Sequence, residues 1–441
     1  MRKTRILSCA LTALLALGLL AGCASAQNDI TDDVAAVDAA AMSANETVTP
    51  SQRDMSGVQG LIVRANSDEV NAARFNGTTV TDCVLTLGNN DASAVISGIK
   101  AAGINVYVEV DAVPAGDAVI NSVVSVLDKY DVLGIELDFV AAGVVDAVKN
   151  DTYDNIDVVD KLVENTAAKI AAYETVYGHP IALSVRVAHD INTNYNLGYD
   201  VMTWVADGYV DMVCPSPIGE ITDTNMFTRL WYSLLESYDV TLAPCMGDKI
   251  KTYADTKLVA AQNAATLAGE ASALLSMGAD KVCVGYNTVD DASLNVLGSY
   301  SKLLATDRRV VLTYTDIAPV WQKTDAQVPK EVSGTNKAAT IRIPVGDVAD
   351  GSNVTLKFGF KMGSSGITGP SALSGAEVYA NSKLCTFVNS EACDLGYTDA
   401  ELYCFSVPVE AVNDGGYIVA EIAGVKGSLN VYSAEVVVDA N

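Results

Sequence analysis

The chain has 441 residues, with 54 acidic and 28 basic side chains and a formal net charge of −26. A surface this acidic repels phosphate backbones, which excludes nucleic acid as a partner. Half of the residues are apolar and only 19% are charged, a balance that supports a large buried core and excludes a disordered chain. At this length two domains are expected.

Met1 to Arg5 is basic, and Ile6 to Leu20 is an apolar run. It is about 15 residues long, shorter than the roughly 20 that a bilayer-spanning helix needs. It ends in Leu20-Ala21-Gly22-Cys23, which resembles the lipobox of bacterial lipoproteins. That resemblance implies cleavage after residue 22 and lipidation of Cys23. Residues 1–22 are then a lipoprotein signal peptide, and the protein is exported and faces away from the cytoplasm. Its membrane contact is through the lipid anchor only. Losing Arg2, Lys3 and Arg5 with the leader takes the formal charge to about −29. Residues 23–56 are mostly Ala, Asp, Ser, Thr and Asn and read as a flexible linker.

From residue 57 short β-branched runs alternate with amphipathic stretches. The strand candidates are Val58–Ala65, Asp82–Leu87, Asn105–Val110, Leu133–Phe139, Ile181–Val187, Val210–Cys214, Val240–Cys245 and Lys281–Tyr286. Helical spacing covers Ala92–Ala102, Ala118–Tyr130, Asp157–Tyr177, Asn225–Tyr238 and Ala260–Met277 between them. Eight strand–helix units in about 250 residues match an α/β fold of the (β/α)₈ TIM-barrel type, placed at 57–306. A doubly wound sheet is the alternative, but no G-x-G-x-x-G opens a helix.

After about Ala305 the pattern becomes short alternating runs between Gly, Asn and Asp. The runs are Thr340–Pro344, Asn353–Lys361, Ala376–Ala380, Leu402–Pro408, Tyr417–Ile422 and Val431–Val438. They read as a smaller all-β sandwich domain at 307–441, an accessory to the barrel. Arg308–Lys330, with Pro319 and Pro329, reads as an extended connection.

Barrel chemistry sits at the C-terminal ends of strands, and period-2 alternation says which residues face the axis. With Val106, Val108 and Val110 against the helices, Tyr107, Glu109 and Asp111 point inward. The same reasoning points Glu136 and Asp138 inward, then Ser184 and Arg186, and Arg64 and Asn66 near the end of the first strand. Glu220, Asp248, Tyr286, Asn287 and Asp290 lie in later loops that approach the same mouth. Crowded carboxylates split their pKa values into acid-like and base-like members, as glycoside hydrolysis requires. The other reading of the same residues is an ion-pair network, with Arg64 and Arg186 neutralising the acids.

Cysteine usage points to no chemistry. Cys83, Cys214, Cys245 and Cys283 lie in apolar runs and are expected to be buried, while Cys385, Cys393 and Cys404 lack CxxC spacing. Only His179 and His189 are available as imidazoles, without a ligand cluster, so neither a metal nor a cofactor is expected. His189-Asp190 reads as a solvated loop or, alternatively, an acid/base or substrate-binding pair. Trp204 and Trp231 are expected in the core.

The segment Tyr130-Asp131-Val132-Leu133-Gly134-Ile135-Glu136-Leu137-Asp138-Phe139 resembles a strand of an uncharacterised bacterial glycoside-hydrolase-like TIM-barrel family. Ser184-Val185-Arg186-Val187, Leu197 to Trp204, and Gly278 to Asn287 match that family in order and spacing. The resemblance implies a C-terminal β-sandwich and a carbohydrate substrate or ligand. The fourth strand also resembles, in part, the D-G-x-D-x-D-x-E signature of family-18 chitinases. Against that pattern Leu133 replaces the first acid, Glu136 and Asp138 keep the middle two, and Val140 replaces the catalytic glutamate. Valine cannot donate a proton, so chitinase activity is not expected.

The residues therefore point to a glycoside hydrolase-like protein. Glu136, Asp138, Glu109 and Asp111 are the candidate catalytic carboxylates. Arg64, Asn66, Arg186, Asp248, Tyr286 and Asn287 are the candidate substrate-binding residues. A catalytically degenerate carbohydrate-binding or cell-envelope lipoprotein is the alternative.

Overall fold

The structure is a computed structural model. It describes residues 59–440 except 141, 151–152, 154, 254–256, 315–325, 334–337, 363–372, 374, 399–400, 413–415 and 426–427. The leader, Cys23 and the 23–56 linker lie outside the described residues.

Eight parallel strands form the first architecture. They are β1 (Gly60–Asn66), β2 (Val80–Thr86), β3 (Asn105–Asp111), β4 (Gly134–Asp138), β5 (Ala182–Ala188), β6 (Met212–Ser216), β7 (Thr241–Leu242) and β8 (Lys281–Gly285). They pair in the order β8-β1-β2-β3-β4-β5-β6-β7. A parallel bridge between Cys245 and Cys283 joins the two ends of that order, with Met246 N–H donating to Cys283 O at 2.8 Å. The sheet is therefore a closed barrel. Strand β7 is shorter than the expected Val240–Cys245: Ala243 and Cys245 still donate to Val213 O and Pro215 O, but Pro215 on β6 has no N–H to return and Pro244 none to give.

Helices α1 (Ser93–Ala101), α2 (Asp117–Lys129), α3 (Ala142–Asn150), α4 (Ile156–Tyr177), α5 (Ile191–Asn196), α6 (Val201–Ala206), α7 (Thr228–Leu235), α8 (Ala264–Ser276) and α9 (Tyr300–Leu304) follow the strands. Local chemistry fixes their ends. Asn155 caps α4 by accepting from Asp157 N–H, and Gly178 closes it at φ +73°, where a side chain would be strained. Asn263 and Thr266 form a reciprocal capping box at the start of α8. No described helix is long and apolar enough to cross a membrane.

Two layers of side chains result from strand alternation. Leu61, Val63, Val106, Val108, Ile135, Leu137, Val185 and Val187 face outward, in one cluster with apolar residues of the surrounding helices. Ile62, Val84, Tyr107, Ala182, Met212, Cys214, Ala243, Cys245 and Cys283 fill the axis. Gly134 makes that filling possible: a Cβ there would lie 2.2 Å from the Tyr107 ring. At the N-terminal end of the axis, buried Lys281 reaches buried Asp82 at 2.5 Å. Asp82 also accepts from Thr81 (2.6 Å) and Asn105 (2.9 Å).

The C-terminal region is two antiparallel sheets. One runs β9 (Arg308–Val311), β18 (Ser428–Asp439), β12 (Asn353–Met362), β16 (Glu401–Ser406), β15 (Thr386–Ala392), with β10 (Lys330–Ser333) also on β18. The other runs β11 (Ala338–Pro344), β17 (Tyr417–Ala423), β13 (Glu377–Ala380), β14 (Lys383–Leu384). Ile341, Ile343, Leu356, Phe358, Ile418, Ile422 and Val436 fill the space between them. The start of the expected connection, Arg308–Val311, is instead a strand. Its two arginines are buried, with Arg309 held by Glu435 (3.0 Å) and Asp394 (2.7 Å) and Arg308 by backbone carbonyls. Arginines in a short run read as solvated until their partners are known.

Helix α8 packs on β9, and a Cβ on Gly269 would lie 2.3 Å from Arg309 O. One helix position further, Glu270 is buried, accepting from Thr222 and from Gln262 at 2.6 Å. Burial pushes its carboxyl up to about 7, the bonds from Thr222 and Gln262 opposing the rise only in part. A carboxyl whose pKa rises on folding stabilises the fold while it is protonated. That stability is lost as pH climbs through the window from 4.5 to about 7. The loss amounts to about 3 kcal/mol. Glu270→Gln is therefore expected to flatten the fall in melting temperature between pH 5 and pH 8. Parallel profiles for parent and variant would show that Glu270 does not titrate on unfolding.

Candidate functional site at the barrel mouth

Strand register assembles the site. Glu109 lies beside Glu136 and Asp111 beside Asp138 across β3 and β4, and Glu136 and Asp138 lie beside Ser184 and Arg186 across β4 and β5. Alternation then stacks two polar tiers above the apolar axis. In the lower tier Arg64 donates to both Glu136 and Glu109. Ser184 donates to the second oxygen of Glu136 at 3.0 Å, and Thr86 to Glu109 at 3.2 Å. In the upper tier Arg186 donates to Asp138 at 2.8 Å and to Ser216 at 3.2 Å, while Val140 N–H donates to Asp138 at 2.9 Å. Arg64 lies 3.7 Å from Asp138, so two guanidiniums serve three carboxylates.

Exposure separates these acids sharply. Glu136 is 0% and Asp138 1% exposed, beneath half-buried Arg64 and Arg186. Burial pushes the Glu136 carboxyl up, and the Arg64 charge offsets that only in part. Burial also opposes the charge on Arg64, but Glu136 and Glu109 outweigh it and hold the guanidinium ionised. Asp111 differs: it is exposed at the rim and accepts from Val113 N–H at 3.0 Å. Partial burial pushes its carboxyl up, the Val113 bond opposes this, and the Asp138 charge adds to it. Val140, standing where the chitinase signature has its proton donor, is buried.

The remaining candidates divide between rim and core. Asp248 is exposed and accepts from Thr288 at 2.5 Å, in the space that Gly285 leaves by having no side chain. Asn287 is exposed and donates to Glu69 at 3.1 Å, while Asn66 is half-buried and accepts from Asp68 N–H at 2.8 Å. Glu220 pairs with Lys249, and Asp290 accepts from Ser293 N–H at 2.7 Å. Tyr286 is corrected: it belongs to the outer layer, edge-on to Phe75 at 6.0 Å and under Arg74 at 4.6 Å. Its hydroxyl accepts from Asn71 N–H at 3.1 Å, so it braces the first loop and is not offered at the mouth.

His189 departs from the solvated-loop reading. It is buried, 8% exposed, and its neighbour is Asp223 at 3.6 Å. Asp190 instead caps α5 by accepting from Thr193 N–H. Asp223 had no sequence signal, since nothing local announces a partner from the β6–α7 loop. Trp204 and Trp231 are core, as expected, with Trp204 stacked on Phe139 at 5.3 Å. Cys214, Cys245 and Cys283 share the apolar axis directly below the polar tiers. Among the described residues no group of three or more His, Cys, Asp or Glu is placed to hold a metal ion.

Strand order, closure and this charged mouth define a (β/α)₈ barrel with a β-sandwich appended. No protein-family model matches the chain, and no curated protein matches it. Among solved structures it is similar to a glycoside hydrolase family 18 N-acetylglucosaminidase from Paenibacillus barengoltzii, at 9% identity and a TM-score of 0.39, over 55% of this chain and 99% of that one. A cell-surface-expressed multi-modular chitinase from a Paenibacillus species is similar at 10% identity and a TM-score of 0.39, over 85% of this chain and 56% of that one. Deoxyribose phosphate aldolase from Aeropyrum pernix is similar at 14% identity and a TM-score of 0.35, over 55% of this chain and 90% of that one.

Proposed function

We propose that this protein is a glycoside-hydrolase-like barrel that binds a poly- or oligosaccharide at its mouth without hydrolysing it. One observation carries the reading: the carboxylates best placed for acid/base work are sealed under arginine. Glu136 and Asp138 are almost fully buried and ion-paired, and Val140 occupies the donor position. Hydrolysis needs two accessible carboxyl groups across the scissile bond; of the four inward-facing acids Asp111 is exposed, while Glu109 is half-buried and ion-paired with Arg64. The resemblance of the fourth strand to carbohydrate-active barrels supplies the ligand class. Asn66, Asn287, Asp248 and Asp111 supply hydrogen-bonding groups around the rim.

A hydrolytic reading is favoured by one feature, the upward shift of the Glu136 carboxyl through burial, which suits a general acid. The leader and Cys23 add export and lipid anchoring to the proposal, with 23–56 as the tether, 57–306 as the barrel domain and 307–441 as the accessory domain.

The test is a paired assay of binding and hydrolysis on chitopentaose, cellopentaose, xylopentaose and soluble starch, with Glu136→Gln and Asp138→Asn beside the parent. Binding without turnover is the expected result. Turnover that disappears in either folded variant would replace this reading with the hydrolytic one. Neither binding nor turnover, with both variants melting lower, would reduce the mouth to scaffolding.

A further inference from the structure

We propose that His189 is a ligand-contacting residue of the mouth, set to bind a neutral hydroxyl group of the carbohydrate. The proposal rests on the carbohydrate-binding reading above and deepens it. His189 directly follows β5, and its N–H donates to Ser216 O at 2.9 Å. Ser216 also receives the Arg186 guanidinium through its hydroxyl at 3.2 Å. The His189 backbone is thereby tied to the residue that Arg186 also contacts, at the C-terminal end of the barrel where ligands enter such folds.

The imidazole is held from several sides. Its ring lies along Phe227 with centroids 6.2 Å apart and planes 26° apart. Its Nε2 faces Asp223 at 3.6 Å, and Trp231 donates to its carbonyl at 2.8 Å. The second ring nitrogen, Nδ1, is buried and has no hydrogen-bond partner among the described residues. Two further buried atoms in the next five residues share that condition, Thr193 Oγ1 and Asn194 Oδ1. The amide nitrogen of Asn194 donates to Ala188 O at 2.7 Å, which holds that side chain against the residue preceding His189.

Buried polar groups in folded proteins are normally hydrogen-bonded. Three unused ones within six residues mark hydrogen-bonding capacity that the protein does not consume itself. Their chemistry selects the partner. An imidazole nitrogen donates or accepts according to tautomer, a hydroxyl does both, and an amide oxygen accepts. The complement is a group that both donates and accepts and carries no charge, which describes a sugar hydroxyl. Asp223, 3.6 Å from the ring, disfavours an anion.

The chain has two histidines, so its imidazole spectrum contains its own control. His179 is bonded to Asp131 at 2.6 Å and precedes β5, away from the mouth. The experiment is a long-range ¹H–¹⁵N titration of the full chain with chitopentaose, cellopentaose and xylopentaose, binding being followed by calorimetry. The His189 signals should move with the sugar that binds while those of His179 stay in place. His189→Asn, with its fold confirmed by circular dichroism at the temperature of the titration, should bind that sugar about tenfold more weakly, the usual scale for a hydrogen bond lost in a desolvated site. Binding that leaves His189 unmoved, or a variant that melts lower and binds like the parent, overturns the role of His189 while the carbohydrate reading stands. Calorimetric silence with all three sugars overturns both.

Discussion

Replacing Arg64 by alanine should destabilise the fold by about 3–5 kcal/mol, the usual consequence of leaving a buried charge without its partner. Arg64 is the cation that both Glu109 and Glu136 contact, and Glu136 is 0% exposed. Without the guanidinium, Glu136 keeps only the neutral Ser184 hydroxyl as a side-chain partner among the described residues. Burial already pushes the Glu136 carboxyl up in the parent, and without Arg64 it rises further, because the attraction that opposes the shift is gone. The folded variant then prefers a neutral Glu136 over a wider range. Its deficit should be largest near pH 8 and should shrink as the pH falls and the carboxyl takes up its proton. Urea denaturation midpoints at pH 5 and pH 8 measure this. Arg64→Ala combined with Glu136→Gln should recover part of the loss, since the fully buried carboxylate is then gone and only the half-buried Glu109 lacks its arginine. An equal deficit at both pH values would mean that Glu136 is not the group left uncompensated.

Lys281→Met should cost a similar amount, about 3–5 kcal/mol, at the opposite end of the same axis. Lys281 is 1% and Asp82 0% exposed. Thr81 and Asn105 would remain as donors to Asp82, but neither carries a charge. Adding Asp82→Asn to Lys281→Met should restore most of the stability, because a neutral amide can keep hydrogen bonds without needing a counter-charge. If the single variant melts like the parent, the pair does not contribute as a buried ion pair. The two ends also separate by function: Lys281 is sealed below the apolar tier, so its replacement should leave glycan binding intact, whereas Arg64→Ala should alter it.

The eight barrel strands and the inward set Arg64, Glu109, Asp111, Glu136, Asp138 and Arg186 were legible in the sequence because both follow from short-range periodicity. A strand covered by helices shows its apolar face as every second residue, and the polar residues between must face the axis. The caps at Gly178 and Asn263 follow from equally local chemistry. Tyr286 was misplaced at the point where that periodicity stops, one residue beyond the last ladder position, Gly285. Arg308–Val311 was absorbed into the expected connection to Lys330, because the groups that bury its arginines, Glu435, Asp394 and the carbonyls of Leu303 and Asp347, lie outside the run.

Partnership is what tertiary structure alone decided. Arg64 and Glu136 are 72 positions apart and His189 and Asp223 belong to different loops. Nothing local to either member of such a pair specifies the other. By itself the sequence determined which residues face the barrel axis, because alternation is a property of one strand. Whether those acids meet water, an arginine or a ligand depends on strand register and barrel closure. Those depend on how all eight strands pack at once, and it is this packing that seals Glu136 and leaves Asp111 exposed.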